Sequence, residues 1–459
     1  MYASAPGPRT PLPWSQLLIT FAIQLSEPLS ATVVYPFLPQ FVRQTGITEG
    51  DETRTGYYSG IIGSVFFAAE CLTVFHWARA SDRFGRRSVL LLGPLGLAVS
   101  MTCFGLSSSF WMLVALRALQ GICNGNIGVA KTVMAELTDS TNIGDAFAIV
   151  PMMWGLGNAI GPAIGGALAS PANTWPDTMG KFSLLRIHPY FLPCIVAAAC
   201  TFSTFVWAAI SLRETHPYKR SLRKIDAERR PLLQNEIEIS DPKTLVPPPL
   251  KDVLNRNVVA SMANYCATSF ISMMYTVLMP LMWSTSIPAG GLGFSPSKIG
   301  TILAIWGFAN AGLQILFLAR LLRRFGERTV FVFCAVAILL GSLAFGLQST
   351  FARWAGHADG TVWFLLCFHL LMNLGISAQY SASQVLMVRS VTHPLGLSAT
   401  NGLAQMAASA TRGLCPYLVS SLFSITLQRN IVGGFFIYIC ISLFALGAVI
   451  SSFWLPKKT

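Results

Sequence analysis

The chain has 459 residues, 53% of them apolar and only 11% charged, with a formal net charge of +13. A soluble domain carries about a quarter charged residues, so a water-soluble globular protein is excluded. The positive balance is not a nucleic-acid footprint either, because the cations are scattered over many short segments and form no single stripe.

Apolar runs of about twenty residues, each enough to cross a bilayer as a helix, follow one another near 15–38, 56–78, 88–107, 110–132, 146–170, 190–212, 257–283, 297–319, 329–348, 361–384, 396–425 and 431–454. The fold class read from them is an all-α membrane protein of twelve transmembrane helices. The first run holds Glu27 and Pro28 at its centre and lacks a small-residue cleavage site, so it reads as a span and not as a signal peptide. The ten cysteines are scattered singly and form no Cys-x-x-Cys metal pair or disulfide framework. No metal or cofactor is expected.

After the second run the chain reads A-R-A-S-D-R-F-G-R-R-S-V, Ala78 to Val89. Gly85 suits a tight turn there, and Arg83, Arg86 and Arg87 mark a membrane boundary. The fourth run contains Arg117 and Gln120. Charges within spans are costly in lipid and face the protein interior, so a Glu27–Arg117 pair is expected, either as a proton relay or as a static packing pair. Gly125 to Thr132 resembles a phosphate-binding loop, but it lacks the strand and helix N-terminus that such a loop needs.

The fifth run reads W-G-L-G-N-A-I-G-P-A-I-G-G from Trp154 to Gly166. Gly157, Gly161 and Gly165 recur every four residues, beside Pro162 and Gly166, and such a stripe lets two helices approach backbone to backbone. The segment 213–256 then breaks the apolar rhythm with charged and proline-containing stretches. Within it Glu228 to Leu233 matches an acidic-dileucine sorting pattern. The domain reading is an N-terminal six-helix half, 1–212, a cytosolic linker, 213–256, and a C-terminal six-helix half, 257–459.

The second half echoes the first. Ala319 to Val330 reads A-R-L-L-R-R-F-G-E-R-T-V, repeating the R-F-G-x-R register of the earlier loop, with Arg323 in place of Asp82. Cys415-Pro416 in the eleventh run echoes Gly161-Pro162. His369 in the tenth run and Arg412 in the eleventh are further titratable or charged groups within spans. Halves related by such a repeat point to a transporter with its site between them. With both termini in the cytosol, cytosolic segments hold 23 Lys and Arg, Lys131 among them, against seven on the other face, which fits the positive-inside rule.

Three motifs carry a resemblance. Asp82 to Arg87, the R-x-x-Q-G of Arg117, Gln120 and Gly121, and the glycine–proline pattern of Gly157 to Gly166 together resemble the major facilitator superfamily, over essentially the whole chain. The last pattern is similar to that of exporters in the fungal drug:proton antiporter and tetracycline-resistance-like twelve-span branch. The resemblance implies two pseudo-symmetric halves, alternating access, and a gating contact from Asp82 to the start of the eleventh span near Leu397-Ser398. Glu27, Arg117, Gln120, His369 and Arg412 become candidates for proton coupling or the cavity.

The function expected is proton-coupled export of a small organic molecule by a monomer in the lipid bilayer, at the plasma membrane or else a vacuolar or endosomal membrane. An uptake permease or facilitator is the alternative. No catalytic motif is present, no nucleic acid is a partner, and no enzyme is expected.

Overall fold

A computed structural model of the chain describes residues 10–139, 142–215, 255–390 and 397–455. All regular structure among them is helical. In chain order the helices of more than five residues are α1 (Trp14–Thr32), α2 (Leu38–Gln44), α3 (Thr55–Phe84), α4 (Arg86–Gly105), α5 (Phe110–Asn124), α6 (Ile127–Leu137), α7 (Ile143–Ala167) and α8 (Phe191–Ser211). After the linker come α9 (Arg256–Ser284), α10 (Pro296–Leu313), α11 (Ala319–Phe325), α12 (Glu327–Ala355), α13 (Gly360–Ser390), α14 (Leu397–Gln428) and α15 (Phe436–Ser452). Seven helices among the described residues are long and apolar enough to cross a membrane. The acidic-dileucine stretch and most of the linker lie outside the described residues.

Two expected spans are broken. The first stops at Thr32, because Pro36 has no N–H to offer the Thr32 carbonyl, and the chain resumes as α2. The fourth breaks at Gly125-Asn126. There Ile122 O accepts from Trp77 Nε1 at 2.6 Å and from Gly125 N at 3.3 Å. Asn126 reaches away to Leu90 O at 3.4 Å. The helix then continues to Leu137, beyond the expected end at 132. A one-turn π-helix, Gln314–Leu318, joins α10 to α11.

The repeated R-F-G-x-R segments adopt the same turn. Gly85 (φ 96°) links α3 to α4 and Gly326 (φ 78°) links α11 to α12, a left-handed region open chiefly to glycine. Arg83 and Arg324 each stack 5.6 Å from the ring of the next phenylalanine. Arg87 donates to Ala209 O at the end of α8, and Arg328 donates to Phe453 O just after α15.

Packing differs between the two ends of the molecule. The largest buried cluster joins helices from before and after the linker, through Phe37, Phe66, Met282, Trp283, Ile299 and Phe423 among others. It lies at the end away from the linker. At the linker-bearing end the clusters stay separate. Val89, Leu90, Val133 and Leu212 belong to one side, and Val330, Phe331, Leu386 and Leu455 to the other.

Candidate functional site

Small residues bring the sides together at the closed end. A Cβ on Gly60 would stand 2.8 Å from Pro416 O, and one on Gly63 would stand 2.9 Å from Pro416 Cβ. These two glycines seat α3 on α14. Two hydrogen bonds cross the same contact: Tyr57 N donates to Ser424 Oγ at 3.0 Å, and Tyr417 N donates to Ser64 Oγ at 2.8 Å. Arg43, paired with Glu52 at 2.7 Å, also donates to Ser284 O of α9 at 3.2 Å.

The structure places the fifth-span stripe between two helices. Gly157, Gly161 and Gly165 face α1, where added Cβ atoms would strike Pro28, Thr32 and Val33. Thr32 Oγ1 lies 2.7 Å from Pro28 O and 2.9 Å from Gly157 O. Gly166 faces α10 instead, backbone against backbone with Gly300, and Pro162 O borders the same contact. This close approach brings Trp154, Gly155 and Asn158 of α7 into one wall with Gln24 and Glu27 of α1.

Between the two sides lies a cavity, sealed at the far end by the shared cluster. Its lining runs toward the linker-bearing end as far as Gln24, Val150 and Gln384. Four charged groups meet there. Glu27 (3% exposed) and Arg412 (6% exposed) line it together with Lys131. Glu70, buried on α3, stands just behind. Asn124 serves both carboxylates: its Nδ2 donates to Glu70 Oε2 at 3.2 Å, and its side chain also reaches Glu27. Glu27 acts electrostatically on Arg412 and Lys131, yet no ion pair joins any of these charges among the described residues.

Arg412 makes two long hydrogen bonds and lies between two rings. Its Nε is 3.5 Å from Ala408 O and its Nη2 is 3.4 Å from Ser409 Oγ, at the long end of hydrogen bonding. Its guanidinium lies 5.2 Å from the Trp154 ring and 5.7 Å from the Phe67 ring. Both rings come from helices on the other side of the cavity.

The expected Glu27–Arg117 pair does not form. Arg117 is fully buried one turn farther from the linker end and donates to Ser30 O at 3.1 Å, Ala31 O at 2.9 Å and Gln120 Oε1 at 2.7 Å. The reason is the end of α1. Its last carbonyls lack in-helix donors, and a guanidinium there completes two of them while complementing the helix dipole.

Lys131, counted among the cytosolic cations, stands mid-helix in the cavity wall, because α6 runs on past it. His369 does not reach the cavity. It is packed among α9, α12 and α13, with its ring 4.2 Å from that of Phe345 and Gln348 Nε2 at 3.2 Å from its Nδ1.

Tyr265 and Gln314 line the cavity with Trp154. Asn264, Tyr275 and Trp306 instead bond to nearby backbone carbonyls. Sequence reasoning did not bring Glu70, Lys131 and Asn124 together with Glu27. A visible signal was that Glu70 continues the buried face Gly56, Gly60, Gly63, Phe67 at helical spacing.

At the α3–α4 turn, Asp82 Oδ1 accepts from Arg86 Nη1 at 2.6 Å and remains 65% exposed. Arg86 also pairs with Glu136 at 3.0 Å. Glu214 accepts from the backbone N–H groups of Arg86 and Arg87 at the start of α4. The side chains of Leu397 and Ser398, the expected partners of Asp82 in a closed gate, lie outside the described residues.

A profile described as Major Facilitator Superfamily matches residues 20–287. The chain is 30% identical over 466 residues to the major facilitator-type transporter psiT2 of Psilocybe cyanescens, covering 93% of this chain and 87% of that protein. It is 26% identical over 447 residues to the efflux pump azaK of Aspergillus niger, covering 97% and 88%. Among solved structures, the human organic anion transporter MFSD10 (TETRAN) superposes with a TM-score of 0.65 at 17% identity, covering 97% of this chain and all of that one. That likeness concerns the fold.

Proposed function

We propose, for a chain that belongs to the major facilitator superfamily and is therefore an integral membrane transporter of small molecules and not an enzyme, that it is a proton-coupled exporter. The observation that carries this reading is the charged cavity walled by helices from before and after the linker, sealed at one end only. Units 1–212 and 257–459 rock about this site, so that the far-end seals open as the linker-bearing end closes. Asp82 and the Arg83–Arg87 turn form part of the linker-side gate. Gly157, Gly161 and Gly165 pack α7 on α1 within one unit, and Pro162 and Gly166 pack α7 on Gly300 of the other, where they form part of the far-side seal.

Glu27 carries the proton. It is the carboxylate on the cavity wall, and Arg412, Lys131, Asn124 and Glu70 lie close enough to make its charge state depend on what the cavity holds. Export is the direction that the efflux-pump relative supports, and substrate is released as Glu27 takes up a proton from the far side. The protein works as a monomer in the plasma membrane with both termini in the cytosol.

The test is substrate flux in proteoliposomes with and without an imposed pH gradient. Gradient-driven accumulation that is lost in Glu27→Gln supports the reading. A wild-type protein that ignores the gradient is a facilitator, and one that accumulates substrate together with protons is an uptake permease.

A further inference from the structure

Two groups of opposite charge, Glu27 and Arg412, line the cavity, and among the described residues neither is held in an ion pair. Arg412 is more than nine-tenths buried. It has five N–H donors, two of which make long contacts and none of which meets a carboxylate. Glu27, equally buried, comes from a helix on the opposite side. The Phe67 and Trp154 rings flank the guanidinium at 5.7 and 5.2 Å. A guanidinium with most of its donors left over suits an oxyanion, which takes two of them at once.

Each single-charge substrate meets a penalty here. A purely cationic molecule drawn to Glu27 stands beside Arg412 and Lys131. A purely anionic molecule drawn to Arg412 stands beside Glu27 and Glu70. Like charges facing each other in a low-dielectric site are a strong basis for rejection. A molecule bearing both charges meets neither penalty. The ring and polar surfaces of Trp154, Tyr265, Tyr380 and Ser377 then take an aromatic or mixed body.

We propose that the cavity binds amphoteric small molecules, with an oxyanion on Arg412, an ammonium group at Glu27 and an aromatic body between them. This rests on the proposed transport role of the cavity. It also gives that role a sign: the ammonium group and the proton compete for Glu27, as exchange requires, while Arg412 supplies affinity that protons do not remove. The charged and titratable groups facing Glu27 are Lys131 from α6, Glu70 from α3 and Arg412 from α14. Tyr265 from α9 and Tyr380 from α13 face Arg412.

The experiment is equilibrium binding to the purified full-length protein in detergent, with matched indole probes: tryptophan with both charges, tryptamine with the cation only, indole-3-propionate with the anion only, and 3-methylindole with neither. Tryptophan should bind about 10- to 100-fold more tightly than either singly charged probe, the worth of one charge-assisted hydrogen-bonded contact. Arg412→Gln and Glu27→Gln should each erase that preference, and Arg412→Lys should keep part of it. Melting temperatures without ligand identify variants that have simply lost their fold. Tryptamine or indole-3-propionate binding as tightly as tryptophan overturns the proposal, and so does the absence of tryptophan binding.

A pH series separates this inference from the transport reading. Tryptophan affinity should fall as the pH drops and Glu27 gains its proton. Selective tryptophan binding that ignores pH keeps the substrate class and sinks the proton exchange.

Discussion

The seal between α7 and α10 offers the sharpest test of alternating access, through Gly300→Ala. A Cβ on Gly300 would stand 2.6 Å from Pro162 O and 2.8 Å from Gly166 N, with Gly166 Cα closer still. These are backbone atoms, so no side-chain rotation relieves the clash, and the two helices must move apart. Overpacking of this kind costs about 1–3 kcal/mol. The cost falls only on the conformation in which α7 and α10 touch at this end. The equilibrium between the two conformations should therefore shift by about 5- to 150-fold toward the one open at the far face.

Gly312→Ala on the same helix is the control, because a Cβ there meets nothing within 4 Å. The assay is labelling of Ser272→Cys in the cavity wall by a membrane-impermeant maleimide, in vesicles of both orientations. The exposed cysteines Cys200 and Cys367 are first replaced by serine. Wild type and Gly312→Ala should label chiefly from the linker-bearing face, and Gly300→Ala from the opposite one. Identical labelling ratios for Gly300→Ala and Gly312→Ala would refute the idea that this contact is a seal.

Three further outcomes are expected. Glu27→Gln should lose gradient-driven accumulation in proteoliposomes while keeping substrate exchange without a gradient; full accumulation would pass the proton role to Glu70. Arg117→Leu should destabilise the fold by at least about 2 kcal/mol, because it strands the buried carbonyls of Ser30 and Ala31, and a melting temperature equal to that of wild type would count against Arg117 as the cap of α1. Asp82→Asn should leave the melting temperature nearly unchanged, since an exposed ion pair contributes about 0–1 kcal/mol, yet reduce transport strongly; normal transport at normal expression would remove Asp82 from the gate.

The all-helical membrane class was legible because apolar runs of bilayer length are a local property of the chain. The turn at Gly85 was legible for the same reason, and the repeat at Gly326 adopts its conformation. The charge partners were not legible, because they depend on where helices end and which faces meet. Lys131, next to the expected span end at residue 132, was counted with the cytosolic cations, whereas α6 continues to Leu137 and holds it in the wall. The cost of charge in lipid placed Glu27 and Arg117 inside the bundle but did not show that they differ by one turn in height. Pro36 held the missing clue: by ending α1 it leaves two buried carbonyls that need a donor, and Arg117 supplies it.

The same geometry joins the seals to the site. On α3 the contact glycines Gly60 and Gly63 lie on the helix face that continues through Phe67 to Glu70. On α14 the residue they meet, Pro416, is one turn from Arg412. On α7 the stripe that packs on Pro28 and Thr32 begins next to Trp154, the ring beside Arg412, and Pro28 itself follows Glu27. Each seal is thus built on a helix that also carries part of the cavity wall, and the rigid stretch between them is only one or two turns long. Separating Pro416 from Gly60 and Gly63 must move Arg412 relative to Glu70 and the Phe67 ring. A change in the charge held between Glu27 and Arg412 therefore acts on the seals directly, with no chain of intermediate residues needed. Under the proposed mechanism, that is the physical basis on which a proton or a bound substrate selects which end of the transporter is closed.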